Sequence, residues 1–420
     1  MTSVRKIAVA LSLARALALG VIPTAALLGP AVLQAAEDDS RKVTTRAVAE
    51  PLKKAQEAMA KKQWDTAIAE IKKAQAVEKK TPFEAYQADE FLGYVLIQQK
   101  KFSEAAPVFE RMLNSGFVPA EQVDDRTKTV AQLYFQVKQY RKAAEWSKKW
   151  VDKHPGDLDM AVLLGQSYYL LNDFKNASDT MMNVIGRAER AGQTPKENWI
   201  QIVLSSQFKA DNKDGIAEAL KKMVRYYPKE EYWENLLDIY RRKADGDSVT
   251  LGYYRLMNDV GVLKDKGDYI EMAQLSIDAG VPGEAEQVMD KGMESGVLKV
   301  ADKTEQGRYD RLQASAKKLS AQDQASLAQL AKEADKAAQG QVKVGLGQAY
   351  LSYGKFDEAI AALEAGLKQG GVLDADQAQI SLGRAYLKKN QKDLARNAFR
   401  AVKDGKWKQL AELWEIRAQA

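Results

Sequence analysis

The one histidine of the chain, His154, lies in Lys153-His154-Pro155-Gly156-Asp157, with Asp152, Asp157 and Asp159 close by. An imidazole beside carboxylates could act as a general base or start a metal site. A zinc site needs more nitrogen or sulfur ligands, and the chain has no Cys and no second His. The expectation for His154 is therefore an ordinary loop between helices. Absent cysteine also excludes a disulfide framework, a thiolate nucleophile and a lipid-bearing N-terminal Cys. Gly345-Leu346-Gly347 resembles half of a dinucleotide fingerprint but has neither the third Gly nor a preceding strand. There is no Gly-x-x-x-x-Gly-Lys-Ser/Thr and no Gly-x-Ser-x-Gly. Neighbouring carboxylates, as in Glu230-Glu231 and Asp124-Asp125, read as solvated helix faces and not as a glycosidase pair. Trp146 and Trp150 stand one helical turn apart, which predicts core packing. The residues thus predict no enzyme, no cofactor and no metal.

Composition narrows the partners. Of 420 residues 29% are charged and 45% hydrophobic, which suits a soluble globular chain. The formal charge of +6 is unevenly placed: Arg5, Lys6 and Arg15 lie in the first 36 residues with no acid, so the remainder carries only +3. That balance argues against nucleic acid. The same 36 residues have a short positive start, an apolar run broken by Arg15, Pro23 and Pro30, and small residues Ala35 and Ala36 before Glu37-Asp38-Asp39. This pattern predicts a cleavable secretory signal peptide over 1–36, cut after Ala35 or Ala36, with a membrane anchor as the alternative. No other stretch is apolar enough to span a bilayer. An exported chain without Cys suggests a bacterial periplasm.

The remaining segments must be helical. Apolar residues recur at intervals of three and four, as in Leu163-Leu164, Tyr168, Leu171, and strand-like alternation is nowhere sustained. Pro82, Pro119, Pro155, Pro195 and Pro228 lie between helical patterns, at gaps close to one helix-turn-helix unit. Pro51 and Pro107 are expected in first turns, where a missing N–H is harmless. A fixed grammar recurs: an apolar and a small residue together, an aromatic or apolar residue three further on, an aromatic six beyond that, then Ala, then an apolar residue. Clear copies are Leu92-Gly93, Leu96, Phe102, Ala105, Phe109; Val130-Ala131, Tyr134, Tyr140, Ala143; Leu164-Gly165, Tyr168, Phe174, Ala177, Met181; and Leu346-Gly347, Tyr350, Phe356, Ala359, Leu363. Weaker copies surround Ala67, Ala285 and Ala395.

This grammar resembles the tetratricopeptide repeat (TPR) family, whose unit is a helix-turn-helix of about 34 residues. The resemblance implies an all-α fold, an α-α superhelix in which the small residues let paired helices nest and neighbouring units share one core. Copies four residues longer than the family unit are expected to have extended turns at Ser115-Gly116-Phe117-Val118 and around Ala120 to Asp125. The expected organisation is a mature N-terminal segment at 37–46, repeats 1–4 at 47–194 and divergent helical hairpins at 195–300. An Ala/Lys/Gln-rich connector follows at 301–339, read as two helices broken near Ser320-Ala321-Gln322-Asp323 and as a joint. C-terminal repeats at 340–405 and a capping helix at 406–420 complete the chain.

In this family the first helix of each unit lines the groove, so the resemblance assigns a partner-binding surface. The position after the small residue holds Tyr94, Gln132 and Gln166. Those four and five after it hold Ile97, Phe135 and Tyr169, then Gln98, Gln136 and Leu170; Lys128 lies nearby. Amides beside an apolar and aromatic rail suit an extended peptide. Gln132 stands where carboxylate-clamping members carry Asn, so that function is not carried over. The stretch Tyr232-Trp233, Leu236-Leu237 and Tyr253-Tyr254-Arg255-Leu256 makes the chain resemble a group of periplasmic TPR proteins of proteobacteria, which implies a protein partner in the cell envelope, with a TonB–ExbB–ExbD-type system as one context. A module for cell-wall or exported polysaccharide is the alternative, since Tyr94, Phe135 and Tyr169 could stack on sugar rings.

Overall fold

The computed structural model describes residues 43–403 and 405–419, so the expectations for residues 1–36 lie outside the described residues. All regular structure among the described residues is α-helix. The helices are α1 (Arg46–Ala60), α2 (Trp64–Gln75), α3 (Pro82–Gln98), α4 (Phe102–Asn114), α5 (Ala120–Gln136), α6 (Tyr140–Lys153), α7 (Leu158–Leu170), α8 (Phe174–Arg190), α9 (Glu197–Lys209) and α10 (Lys213–Tyr226). They continue with α11 (Glu230–Arg241), α12 (Asp247–Asp259), α13 (Lys266–Asp278), α14 (Pro282–Glu294), α15 (Lys303–Lys336), α16 (Gln341–Ser352), α17 (Phe356–Gln369), α18 (Ala375–Lys388), α19 (Lys392–Arg400) and α20 (Lys408–Gln419). The chain divides into two compact units, Met1–Ile216 and Ala217–Ala420, with the boundary inside α10.

The repeat grammar has a backbone cause. Lys62, Lys100, Lys138, Asn172, Asp211 and Asn390 all have φ between +52° and +61°, and Gly280 and Gly354 take the same role at +72° and +70°. Each stands five residues before a position of the recurring-alanine series, which Ile216 fills in one copy. In this left-handed conformation the turn folds its N–H groups back onto the helix it ends: Lys100 N–H donates to Ile97 O and Lys101 N–H to Leu96 O. The second helix then starts at once and lies against the first. A Cβ on Gly165 would come 2.6 Å from Met181 Sδ, on Gly347 2.6 Å from Leu363 Cγ, and on Gly383 2.4 Å from Phe399 Cε1. The alanines Ala67, Ala105, Ala143, Ala177, Ala285, Ala359 and Ala395 are all fully buried.

Three expectations are corrected. The extra residues around Ala120 to Asp125 are helix, not turn: α3 and α5 have 17 residues where α7 has 13. Four residues are about one helical turn, so the insertion lengthens the helix and keeps its apolar stripe in register. Second, α15 runs unbroken for 34 residues through Ser320 and Asp323. No Gly or Pro interrupts it there, Ser320 is fully buried, and the Tyr353 hydroxyl donates 2.6 Å to Asp323 Oδ2 from the neighbouring α16 end. Third, Pro51 and Pro107 sit inside α1 and α4, each the sixth residue, because those helices start earlier than their apolar pattern suggests.

In the N-terminal unit the core forms two clusters, one around Leu52 and Ile71 and the next around Phe109, Met112 and Leu133, and the half-buried Ile68 and Leu92 pack against both. In the C-terminal unit α20 does more than cover the last repeat. Trp414 stacks on Phe399 of α19 at 5.9 Å, and Leu410 also fills the space over Gly252 of α12, where a Cβ would lie 2.3 Å from Leu410 Cδ2. The end of the chain thus returns to helices near the start of its own unit.

Candidate functional site

In the N-terminal unit the expected groove residues come from α3, α5 and α7, the first helices of three successive repeats. Gln98 and Gln136 are exposed, and Gln132 and Gln166 half-buried. Their amides make no side-chain hydrogen bond among the described residues. Tyr94, Phe135 and Tyr169 are half-buried, each held edge-on by the ring of a neighbouring helix: Trp64 at 6.5 Å, Tyr140 at 5.6 Å and Phe174 at 5.7 Å. Tyr169 also reaches the next first helix, its hydroxyl 2.8 Å from Ser205 Oγ of α9. Leu170 is half-buried beside the exposed Leu171.

Two expected groove residues serve the fold instead. Ile97 is buried in the core cluster that also holds Leu96, Ala105 and Phe109. Lys128 Nζ lies 2.7 Å from Asp157 Oδ2 and 4.8 Å from the Trp150 ring centroid, so its charge is already answered. Asp157 caps α7, accepting from Met160 N–H and from Trp150 Nε1. Burial would raise the Asp157 carboxyl, but Lys128 and these donors hold it below its ordinary value. Trp146 and Trp150 are buried, as expected of core residues. His154 ends α6, stacked on Trp150 at 4.0 Å with Nε2 2.9 Å from Asp124 Oδ2.

Polar links, one of them ionic, tie the repeats together. Arg126 Nη2 of α5 donates to Glu90 Oε1 of α3 at 3.1 Å. The Tyr134 hydroxyl donates to Glu110 of the preceding repeat, and Tyr386 does the same to Glu364. These tyrosines occupy the aromatic position of the grammar, and the carboxylate follows the apolar residue of the previous copy by one. That pairing could have been read from sequence as a recurring separation of about two dozen residues.

The C-terminal unit treats the equivalent positions differently. Gln348 reaches Ser381 Oγ at 3.5 Å, and Arg384 Nη2 donates to Glu284 Oε1 at 2.9 Å. Arg255 holds the same carboxylate through Nε and Nη2 at 2.8 and 2.7 Å. Burial works to raise Glu284, yet Arg255 and Arg384 lower it to about 2. A second shared carboxylate, Asp259, accepts from Lys388 Nζ at 2.8 Å and from Arg417 Nε at 2.9 Å. These groups border a cavity of about 320 Å³. Among the described residues no three His, Asp or Glu side chains gather to hold a metal ion, and no helix is long and apolar enough to cross a membrane.

The tetratricopeptide repeat family profile matches residues 52–120 and 344–409, and residues 98–184 are similar to anaphase-promoting complex, cyclosome, subunit 3. No curated relative matches the chain. Among solved structures it is similar to a tetratricopeptide repeat protein from Parabacteroides merdae, at 12% identity over 90% of this chain and 100% of that one, TM-score 0.29. It is also similar to YrrB, described as a TPR protein with an unusual peptide-binding site, at 15% identity over 44% and 95%, TM-score 0.30. The TPR2AB domain of yeast Sti1, described as a complex with pHSP90, has 13% identity over 64% and 98%, TM-score 0.26. Likeness at this level carries no argument about ligands.

Proposed function

The chain is a tetratricopeptide repeat protein, and from that premise we propose that it is a non-catalytic scaffold whose N-terminal unit binds an extended protein segment along α3, α5 and α7. One observation carries this reading. The amides of Gln98, Gln132, Gln136 and Gln166 have no partner among the described residues, whereas the equivalent Gln348 and Arg384 are engaged within their own unit. Primary amides offer both donors and acceptors, which matches a peptide backbone. Half-buried Phe135 and Leu170 add apolar contact between them. The glycan alternative is weakened because Tyr94, Phe135 and Tyr169 are each already packed against another ring.

The periplasm is the proposed location, on the strength of the charged start, apolar run and small residues of 1–36. A cell-envelope assembly, with a TonB–ExbB–ExbD-type system as one context, is proposed on the resemblance of the Tyr232 to Leu256 stretch to periplasmic TPR proteins. The test is a photoreactive residue at Gln166, with the periplasmic fraction compared for the native groove and for one carrying Gln132→Ala and Gln136→Ala. A discrete protein adduct that disappears with the two substitutions supports the proposal. An adduct that persists, or retention on purified cell-wall glycan that these substitutions abolish, overturns it.

A further inference from the structure

The cavity of the C-terminal unit lies outside the peptide-binding surface proposed above. Its wall comes from six helices: α12, α14, α16, α17, α18 and α20. At about 320 Å³ it stands at the small end of ligand pockets. That is room for a small organic molecule, not for several residues of extended chain.

Its charges are out of balance. Arg255, Arg384, Lys291 and Lys388 line it, against the carboxylates of Glu284 and Asp259 alone. Arg255 and Arg384 share Glu284, and Lys388 and Arg417 share Asp259. Lys291 has a neutral partner, Asn258 Oδ1, at 2.6 Å. Each carboxylate therefore serves two cations. The side chains of Arg255, Arg384 and Glu284 retain only 11%, 16% and 12% of their exposure, so bulk water screens them little. Burial, and then the like charge of Arg255, push the Arg384 guanidinium below its ordinary pKa. A buried cation that shares its counter-ion is an unfavourable arrangement that a further anion corrects.

The donors for such an anion are in place. Arg384 spends only Nη2 on Glu284, and Arg255 only Nε and Nη2; among the described residues neither makes a further hydrogen bond through its remaining N–H groups except as stated. The Arg384 guanidinium is steadied by the Trp414 ring, 5.9 Å away. Planar guanidinium forks match the oxygens of carboxylate and phosphate. Leu351, Leu387 and Phe356 supply an apolar wall beside them. We propose that this cavity binds a small organic dianion, its anionic oxygens held by Arg384, Arg255, Lys388 and Lys291 and its carbon body lying against Leu351 and Leu387.

The test is calorimetric titration of the full chain at constant ionic strength with succinate, with glycerol 3-phosphate, and with acetate as the monoanion control. Saturable binding of succinate or glycerol 3-phosphate, at least tenfold tighter than acetate, is expected, and the one that binds identifies a carboxylate or a phosphate ligand. The exposed pair Lys291→Gln and Lys388→Gln should weaken it by tenfold or more, and Arg384→Gln should abolish it. The lysine variants keep the buried Arg–Glu cluster intact, so they report even if Arg384→Gln fails to fold. Binding no tighter than acetate, or undiminished in the lysine double variant, overturns the proposal.

Discussion

At the scale of single residues, the fold depends on side chains that are too small to be noticed singly. Gly383 lies under the ring of Phe399, three of whose carbons would stand 2.4 to 2.7 Å from an added Cβ. A ring cannot bend aside as a chain end can, so Gly383→Ala should destabilise the C-terminal unit. Overpacking costs about 1–3 kcal/mol, against about 1 kcal/mol that alanine recovers in helix propensity. Thermal unfolding of the variant against Gly345→Ala, where a Cβ meets nothing, separates the two terms. Glu84 matters for the opposite reason, as a buried charged side chain. Its carboxylate accepts from Thr45 N–H and Oγ1 and from Thr81 N–H, closing a capping box on α3 and fastening the start of α1 to it. Burial would raise the carboxyl, but these hydrogen bonds lower it below the ordinary 4.5. A lowered native value means stability that is present above pH 4.5 and is lost as pH falls through the native value. Glu84→Gln should therefore flatten the acid limb of the stability profile of the N-terminal unit, measured by circular dichroism below pH 5.

At the scale of elements, the decisive feature is how each helix ends. A left-handed residue after the first helix of a repeat forces the second helix to begin immediately, and the side chain at that position is Lys, Asn, Asp or Gly with equal success. Elsewhere the absence of such a residue has the opposite effect. Nothing in Ser320-Ala321-Gln322-Asp323 stops a helix, so α15 continues, and Tyr353 binds it at the place where a joint was expected: its hydroxyl donates to Asp323 Oδ2 at 2.6 Å and lies 3.3 Å from Ser320 O. Hydrogen exchange should accordingly show amides 318–325 protected as well as their flanks. Tyr353→Phe should leave α15 helical and cost about 1.5–3 kcal/mol, the worth of a hydrogen bond to a charged acceptor. Selective exchange at Ser320 to Asp323 in the unmodified protein would contradict this account.

At the scale of the whole molecule, each compact unit has its own way of finishing its core. The N-terminal unit stacks repeat upon repeat and leaves the side-chain amides of Gln98, Gln132, Gln136 and Gln166 without a partner among the described residues. The C-terminal unit closes on itself through α20, whose Leu410 is fully buried and whose Glu412 accepts from Lys221 Nζ at 2.6 Å. Leu410→Ala should cost about 2–5 kcal/mol, as a large-to-small change in a packed core. The loss should fall on one unit: of two unfolding transitions in a denaturant titration, one moves and the other stays. A single transition shifting as a whole would show that the units unfold together.

The periodic small residues, the spacing of the prolines and the lack of strand-like alternation were enough to read an all-helical repeat from the sequence, because paired helices that stack closely favour small residues at fixed intervals. Helical spacing likewise led to the buried Trp146 and Trp150. What the sequence could not settle are the pairings that span long separations. Glu284 is one of many acidic residues until Arg255 and Arg384 meet it, 29 and 100 residues away in the chain. Lys128 looks free until Asp157 and Trp150 are folded against it. Periodicity reports which face of a helix is apolar, and that is a local property. Which charge answers which, and where a cavity is left between them, depends on how helices distant in sequence come to lie side by side, and only the tertiary structure decides it.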